Sequence, residues 1–536
     1  MKSETKKAIS IYVVLIILGV LFYCARFYFP GLPDYPHDDY FHLNRLVGMG
    51  NVWSSPVNFN SFAGDGTYVN IYYPWLTMYP MWIFYRVCNS YIMAYKLYYT
   101  FLGVATLIVS YWCFRRMIFD EKAAICFAVL YSFSSYRFVN VFLRAALGES
   151  IAMTFLPIIL MGTYFIFFDN YKKWRSLSIG FALISYSHIL SVLMSGAIVV
   201  LLFIFSFNWW NHKRERMIAL FKAILASLGL SCGAMVPMVQ ASIQNKVWHP
   251  EGSPGTMLVH AYRLADIIND SISNSPTLDG LGFLTVVALA GTIYMLRRND
   301  TVKKECNEEL CRVTKLYCIV GIVLIVATSS LLPWGLIAQI PIVQIIQFPW
   351  RLNAYSTLFI SEASSIMLVL VKERNRLIIT VVICMAGLIL TCSSVLVLGD
   401  YNEENRITEE VVGAMNFETN DYTPEVSTQY KNQHGNTMDK YYCEGEEIIT
   451  SNSVSENGGT LSITIDDAKE KQLIDIPVYW FSTIRTIVNG NEVPSTMSER
   501  GTVSLIVPSD GKTSIEIYHV YSKLTYVSWV LLLMIS

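Results

Sequence analysis

Between Pro36 and Arg45 the chain sets two adjacent carboxylates, Asp38 and Asp39, between two imidazoles, His37 and His42, with the Arg45 guanidinium close behind. The apolar run just before them is about 20 residues long, enough for a membrane helix. The cluster is therefore expected just outside a bilayer, where ionisable groups are costly unless they bind or react. Adjacent carboxylates can divide two tasks: one takes the proton of an attacking hydroxyl, and the other holds a divalent cation on a leaving phosphate. The plainer reading is that Asp38 or Asp39 N-caps a helix beginning near Tyr40. Capping accounts for one carboxylate, but not for the second or for His37 and His42. Asp38 and His42 would lie one turn apart on one helix face and have the composition of metal ligands. Oxygen ligands suit Mg²⁺ or Mn²⁺ and imidazoles suit Zn²⁺, while hydrogen-bonded interface histidines fit equally well.

Further along, Arg144 and Glu149 stand in Arg144-Ala145-Ala146-Leu147-Gly148-Glu149. Glu149 opens a long apolar helix, where a negative charge is favoured and Arg144 is a natural partner. It could equally be a second acidic group facing the first. His188, at a helix end in Tyr186-Ser187-His188, reads as packed imidazole or as a phosphate or carboxylate contact. Arg351 closes Gln347-Phe348-Pro349-Trp350-Arg351 at the mouth of another apolar run. It could snorkel to the headgroups, or its fork could hold a phosphate in two-point fashion. Tyr422-Thr423-Pro424 and the pair Arg263 and Asp266 are weaker candidates for the same cavity.

Certain elements must carry these residues. The 536-residue chain is 53% hydrophobic and only 15% charged, with a mean hydropathy of +0.41. Soluble domains carry about 25% charged residues, so the polar surface is too small for a water-soluble globule. Apolar runs at 8–29, 91–114, 120–138, 150–168, 176–191, 192–208, 217–240, 281–296, 313–332, 351–371, 377–398 and 523–536 predict about twelve spans. The first run is too long for a signal-peptide core and is read as a retained helix. With the N-terminus in the cytoplasm, alternation places Arg115-Arg116, Lys172-Lys173, Lys213 to Arg216, Arg297-Arg298 and Lys372 to Arg376 inside, as the positive-inside rule requires. The loops 30–90, 139–150 and 241–280 then lie outside, with every candidate residue above. Residues 1–400 thus read as a helical membrane domain. Residues 401–522 alternate apolar and polar side chains and contain Asn489-Gly490 and Asp510-Gly511, the signature of hairpins in an extracytoplasmic sandwich-like β domain. Residues 523–536 read as a terminal span. The 11 cysteines show no metal spacing, and no nucleotide-binding loop, GxSxG or basic tract for nucleic acid is present.

Taken together, His37-Asp38-Asp39-Tyr40-Phe41-His42, Arg144 with Gly148-Glu149, Ser187-His188 and Phe348-Pro349-Trp350-Arg351 resemble YfhO-like bacterial membrane proteins. They also resemble relatives labelled pyruvoyl-tetrahydropterin-synthase-related. Such proteins are similar to GT-C glycosyltransferases, polytopic helical enzymes with acidic residues in the first outer loop and polyprenyl-phosphate sugar donors. The resemblance implies an inverting glycosyltransferase of the bacterial cytoplasmic membrane, with its acceptor an extracytoplasmic glycan, polymer or lipid. It implies that Asp38 or Asp39 is the base or a metal ligand, that Glu149 is a second acid, and that Arg351 or His188 meets the donor phosphate. Many GT-C enzymes carry a spaced Asp-x-Asp, whereas here Asp38 and Asp39 are adjacent. Two rival classes remain: a transporter or flippase of lipid-linked saccharides, and a non-catalytic envelope-assembly protein.

Overall fold

The computed structural model describes residues 10–21, 32–33, 38–250, 253–297, 308–400, 406–413, 417–435 and 439–535. They fall into two compact units. The first comprises Met1–Asp39, Ile92–Leu228 and Glu251–Thr408, and the second Tyr40–Tyr91, Gly229–Pro250 and Glu409–Ser536.

The first unit is helical. Among the described residues, six helices of the chain are long and apolar enough to cross a membrane: Tyr91–Ile118, Leu147–Phe167, Ile189–Trp209, Lys213–Gln244, Glu308–Thr328 and Glu373–Val397. The count becomes seven if Glu121–Ser132 and Ser135–Leu143, which meet at a 50° bend, form one span. Among the described residues the expected count of twelve full-length spans is therefore not confirmed. The expected spans at 281–296 and 523–536 are the shorter apolar helices Phe283–Arg297 and Lys523–Met534, and of the first run the described part is Ser10–Leu21. The run 176–208 breaks one turn earlier than expected, into Arg175–Ser185 and Ile189–Ser206. The run 351–371 becomes Asn353–Val369, nearly all of it buried. Periodicity located these segments, but it does not distinguish a full crossing from a short buried helix.

The outward faces explain the composition. Only 17% of the apolar window in Lys213–Gln244 is buried, and Phe221, Ile224, Leu225 and Leu228 are exposed along it. A continuous apolar face of this length is stable against lipid and not against water. Inside, small residues let helices approach. A Cβ on Gly162 would lie 2.4 Å from the backbone nitrogen of Leu177, so Leu147–Phe167 and Arg175–Ser185 pack at a distance only glycine permits.

The second unit carries two five-stranded sheets, while the first has only the short pair Leu32–Pro33 with Arg406–Ile407 among the described residues. One antiparallel sheet runs in the order Thr496–Met497, Thr502–Ile506, Leu473–Tyr479, Tyr441–Cys443, Glu446–Ile448, and the other in the order Ser451–Val454, Thr460–Ala468, Gly511–His519, Ile484–Val488, Asn491–Glu492. Leu461, Ile463 and Ile465 alternate inward, and Ile515 pairs with Ile463 on one side and Val488 on the other, which fixes the register. Asn489 and Gly490 both take left-handed backbone, as an Asn-Gly hairpin turn demands. The unit also draws in the segment after the Asp38–Val47 helix. Tyr68 stacks on Phe481 at 3.7 Å, and the Tyr521 hydroxyl donates to the Val52 carbonyl at 2.9 Å.

In that segment Phe62, Ala63, Gly64 and Gly66 all have positive φ, so the loop around Asp65 is tightly coiled. It is fixed at the sheet by the Tyr479 amide, which donates to the Asp65 carbonyl at 2.8 Å. The Asp65 side chain is buried, and that burial pushes its pKa from 3.8 up to about 7; Lys431 opposes the rise, while Glu418 and Asp439 add to it. The fold therefore favours neutral Asp65. Its contribution is whole below about pH 3.8 and is lost as pH rises through about 7. Thermal melts between pH 5 and pH 8 check the sign. Wild type should melt higher at pH 5, by roughly 2–4 °C for each kcal/mol of linkage, and Asp65→Asn should flatten that part of the pH dependence.

Candidate functional site

Glu149 is the centre of a charged cluster in the first unit. It lies in the first turn of the Leu147–Phe167 helix, whose N-terminus favours a negative charge. Its carboxylate accepts a hydrogen bond from the Tyr136 hydroxyl at 2.5 Å and one from Arg144 Nη1 at 3.1 Å. Arg351 Nε stands 3.9 Å from the same Oε2. His188 is within electrostatic reach of this carboxylate, and Asp38 within reach of Arg144. Arg144, Glu149, His188 and Arg351, which sequence analysis took from three separate stretches, thus meet, and Asp38 acts on the same group.

The local backbone shows why. After the helix Ser135–Phe138 the chain widens into a π-turn, Val139–Leu143, a feature that often accompanies functional sites. Asn140 lies in that turn and its Oδ1 accepts from Arg144 Nη1 at 2.6 Å. Ala145 then takes a left-handed φ of 54° before the next helix begins. On the other side, Gln347 has φ 64° immediately before Phe348-Pro349-Trp350-Arg351. A non-glycine residue in this region costs about 1–3 kcal/mol, and both strained positions flank residues of the cluster. Pro349 opens the short turn Pro349–Leu352 that carries Arg351. The rings stack in series: Phe348 on Trp350 at 4.9 Å, and Trp350 under Arg144 at 4.2 Å. Arg351 lies 5.3 Å from the Phe348 ring. The aromatic residues therefore set both guanidinium planes.

Burial shapes the electrostatics. Glu149 is 2% exposed, His188 6% and Arg351 7%. Burial first, and then the Arg351 charge, pull the His188 imidazole down to about 3, so it is neutral at physiological pH, with Nδ1 2.8 Å from Ser191 Oγ. For Arg144 burial opposes the charge, but Glu149, Tyr136 and Asp38 outweigh it and the pKa rises. Two fixed guanidinium groups thus share one buried carboxylate whose hydrogen bonds come from the cluster itself.

The remaining candidates belong to other elements, or lie outside the described residues. Asp38 and Asp39 occupy the first turn of Asp38–Val47; Asp38 is half-buried, whereas Asp39 is 3% exposed. His42 belongs to the second unit, where its ring packs on Phe41 and Tyr73 and its Nδ1 faces Arg45 Nη1 at 3.4 Å. His37 lies outside the described residues. Among the described residues no three His, Cys, Asp or Glu side chains gather where they could hold an ion. Arg263 and Asp266 pair with each other at 3.9 Å, both well exposed.

Sequence reasoning missed Tyr136, Asn140 and Arg137. The Arg137 guanidinium is fully buried; it donates to the Ser150 carbonyl at 3.0 Å and to Thr106 Oγ1 at 2.6 Å. It ties the bend before the π-turn to the neighbouring helices. A single arginine at the end of an apolar run was the available signal.

No protein-family model and no curated protein sequence matches the chain. Among solved structures it is similar to ArnT from Cupriavidus metallidurans bound to undecaprenyl phosphate, at 10% identity over 68% of this chain and 78% of that one, TM-score 0.35. It is similar to the mycobacterial arabinofuranosyltransferase AftD, at 14% identity over 81% of this chain and 29% of that one, TM-score 0.41. It is also similar to the apo oligosaccharyltransferase of Archaeoglobus fulgidus, at 14% identity over 80% of this chain and 58% of that one, TM-score 0.35. Likenesses at TM-scores this low carry no argument about the chemistry of this chain.

Removing the shared carboxylate tests the cluster. Glu149→Ala removes the carboxylate that two buried guanidinium groups share and should cost about 3–5 kcal/mol. Tyr136→Phe removes one hydrogen bond and should cost about 1–3 kcal/mol. Thermal unfolding of the purified variants in detergent should rank them in that order.

Proposed function

We propose that the chain is an integral membrane glycosyltransferase of the GT-C kind, moving a sugar from a polyprenyl-phosphate donor to an extracytoplasmic hydroxyl acceptor. The observation that carries this reading is the Arg144–Glu149–Arg351 cluster, with Asp38 acting on it from a separate helix. Two guanidinium groups gathered on one buried carboxylate present planar donor forks of the kind that match the oxygens of a phosphodiester. They are positioned before the ligand arrives, which is what stabilises charge developing on a leaving phosphate.

In this reading Asp38, the less buried of the acidic pair, takes the proton of the acceptor hydroxyl. The acceptor oxygen bonds to the anomeric carbon, the bond from that carbon to the phosphate oxygen breaks, and polyprenyl phosphate leaves with the configuration inverted. Arg351 and Arg144 hold the leaving phosphate, and neutral His188 offers it a hydrogen bond. Glu149 is a positioning residue, holding both arginines in place. Asp39, buried on the helix bearing Asp38, sets the position of that helix. The cytoplasmic N-terminus, the outer-face site and the bacterial cytoplasmic membrane belong to this proposal, supported by the placement of the Lys and Arg clusters. The acceptor is a cell-envelope glycan, polymer or lipid.

A specific observation favours a second reading. Glu362 lies inside Asn353–Val369, is fully buried, and neither carboxylate oxygen has a hydrogen-bond partner among the described residues. A deep acid of this kind is what a transporter of lipid-linked saccharides would carry.

Transfer from radiolabelled polyprenyl-phosphate sugars, measured in membranes carrying wild type, Asp38→Asn, Asp39→Asn or Glu362→Gln, separates the two. Asp38→Asn should lose about 10²–10⁴-fold in rate at unchanged expression, and Glu362→Gln should keep its rate. Transfer that survives both Asn substitutions would remove the carboxylate mechanism. Translocation of donor without transfer, lost in Glu362→Gln, would establish the transporter.

A further inference from the structure

The second unit holds another polar cluster. The coiled loop after Ser61 turns Asp65 inward until it is 8% exposed, with Oδ2 buried and without a hydrogen-bond partner among the described residues. Tyr479, at the end of the strand Leu473–Tyr479, is fully buried, and its hydroxyl likewise has no hydrogen-bond partner among the described residues. Lys431, on the helix Glu425–His434, stands 5.8 Å from the Tyr479 ring and 3.6 Å from Glu418. Asp439 is within electrostatic reach of Asp65, and Asp65 of Tyr479. A loop, a strand and a helix thus bring a carboxyl, a phenol and an ammonium together, and the two most deeply buried of these groups are unsatisfied. Folded proteins rarely leave two such groups without partners unless something else supplies them.

We propose that Asp65, Tyr479 and Lys431 form a subsite for the hydroxyl groups of a neutral sugar, the acceptor end of the reaction; this rests on the glycosyltransferase reading above. A sugar hydroxyl both donates and accepts. It can donate to the Asp65 carboxyl while its oxygen accepts from Tyr479 or Lys431. The charges select against the donor: even with Asp65 neutral, Glu418 and Asp439 outnumber Lys431, so an anionic phosphate is repelled where an uncharged polyol is not. Burial gives such a site its discrimination, because a ligand lacking the hydroxyl leaves the buried groups unpaired.

The test is saturation-transfer NMR on the full chain in lipid nanodiscs, with methyl glycosides of glucose, galactose and N-acetylglucosamine as probes and inorganic phosphate as competitor. Wild type should give signal with at least one glycoside. Tyr479→Phe, which keeps the ring beside Lys431, and Asp65→Asn should each weaken it about tenfold, and phosphate should not displace it. Should Asp65→Asn fail to fold, Tyr479→Phe decides alone. No signal with any glycoside, an unchanged signal in Tyr479→Phe, or displacement by phosphate would each overturn the subsite. Asp38→Asn, inactive in transfer, should bind as wild type does. Wild type that binds a glycoside at this subsite but transfers no sugar would leave the subsite standing and sink the transferase reading.

Discussion

The first unit turns on one buried carboxylate. Glu149 brings a negative charge into an apolar helical bundle, and such a charge is tolerated only when paired and hydrogen-bonded. Its partners come from three places: Tyr136 before the π-turn, Arg144 after it, and Arg351 from a turn some two hundred residues later. Several local irregularities flank that meeting. The bend between Glu121–Ser132 and Ser135–Leu143, the π-turn, and the left-handed backbone of Ala145 and Gln347 each redirect the chain so that a polar side chain reaches the carboxylate. Strain of this sort persists where surrounding structure over-determines it, and a functional site is where it is most often found.

In the proposed reading the same arrangement separates holding a ligand from reacting with it. Glu149 is enclosed by its own partners, whereas Asp38 is half-buried on a different helix. A group that must exchange a proton with an arriving hydroxyl needs access. A group that must fix two guanidinium planes needs burial and a full set of bonds. The aromatic series from Phe348 through Trp350 to Arg144 adds rigidity without adding charge.

Much of this was legible in the sequence, for reasons particular residues make plain. The pairing of Arg144 with Glu149 follows from spacing around a helix start, and Arg351 declared itself by standing beside a proline and two aromatic rings. The β region announced its hairpin at Asn489-Gly490, and its inward alternation at Leu461, Ile463 and Ile465. The span count was not legible. Hydropathy sees the apolar run 351–371 but not that Asn353–Val369 is short and buried on all sides. Tyr136 and Asn140 were hidden because the bent helix that carries Tyr136 and the π-turn that carries Asn140 bring them to Glu149 and Arg144 only in the folded chain. Asp65 and Tyr479, more than four hundred residues apart, meet through tertiary folding alone.

The central claim is that the Arg144–Glu149–Arg351 cluster is a seat for a lipid phosphate. The most direct measurement is the affinity of the purified protein for undecaprenyl phosphate against undecaprenol, for wild type and Arg351→Gln. Wild type should prefer the phosphate, and Arg351→Gln should lose about tenfold or more of that affinity, about 1.4 kcal/mol, with its weak binding of the alcohol unchanged. Equal binding of phosphate and alcohol by wild type, or a phosphate affinity untouched by Arg351→Gln, would contradict the account.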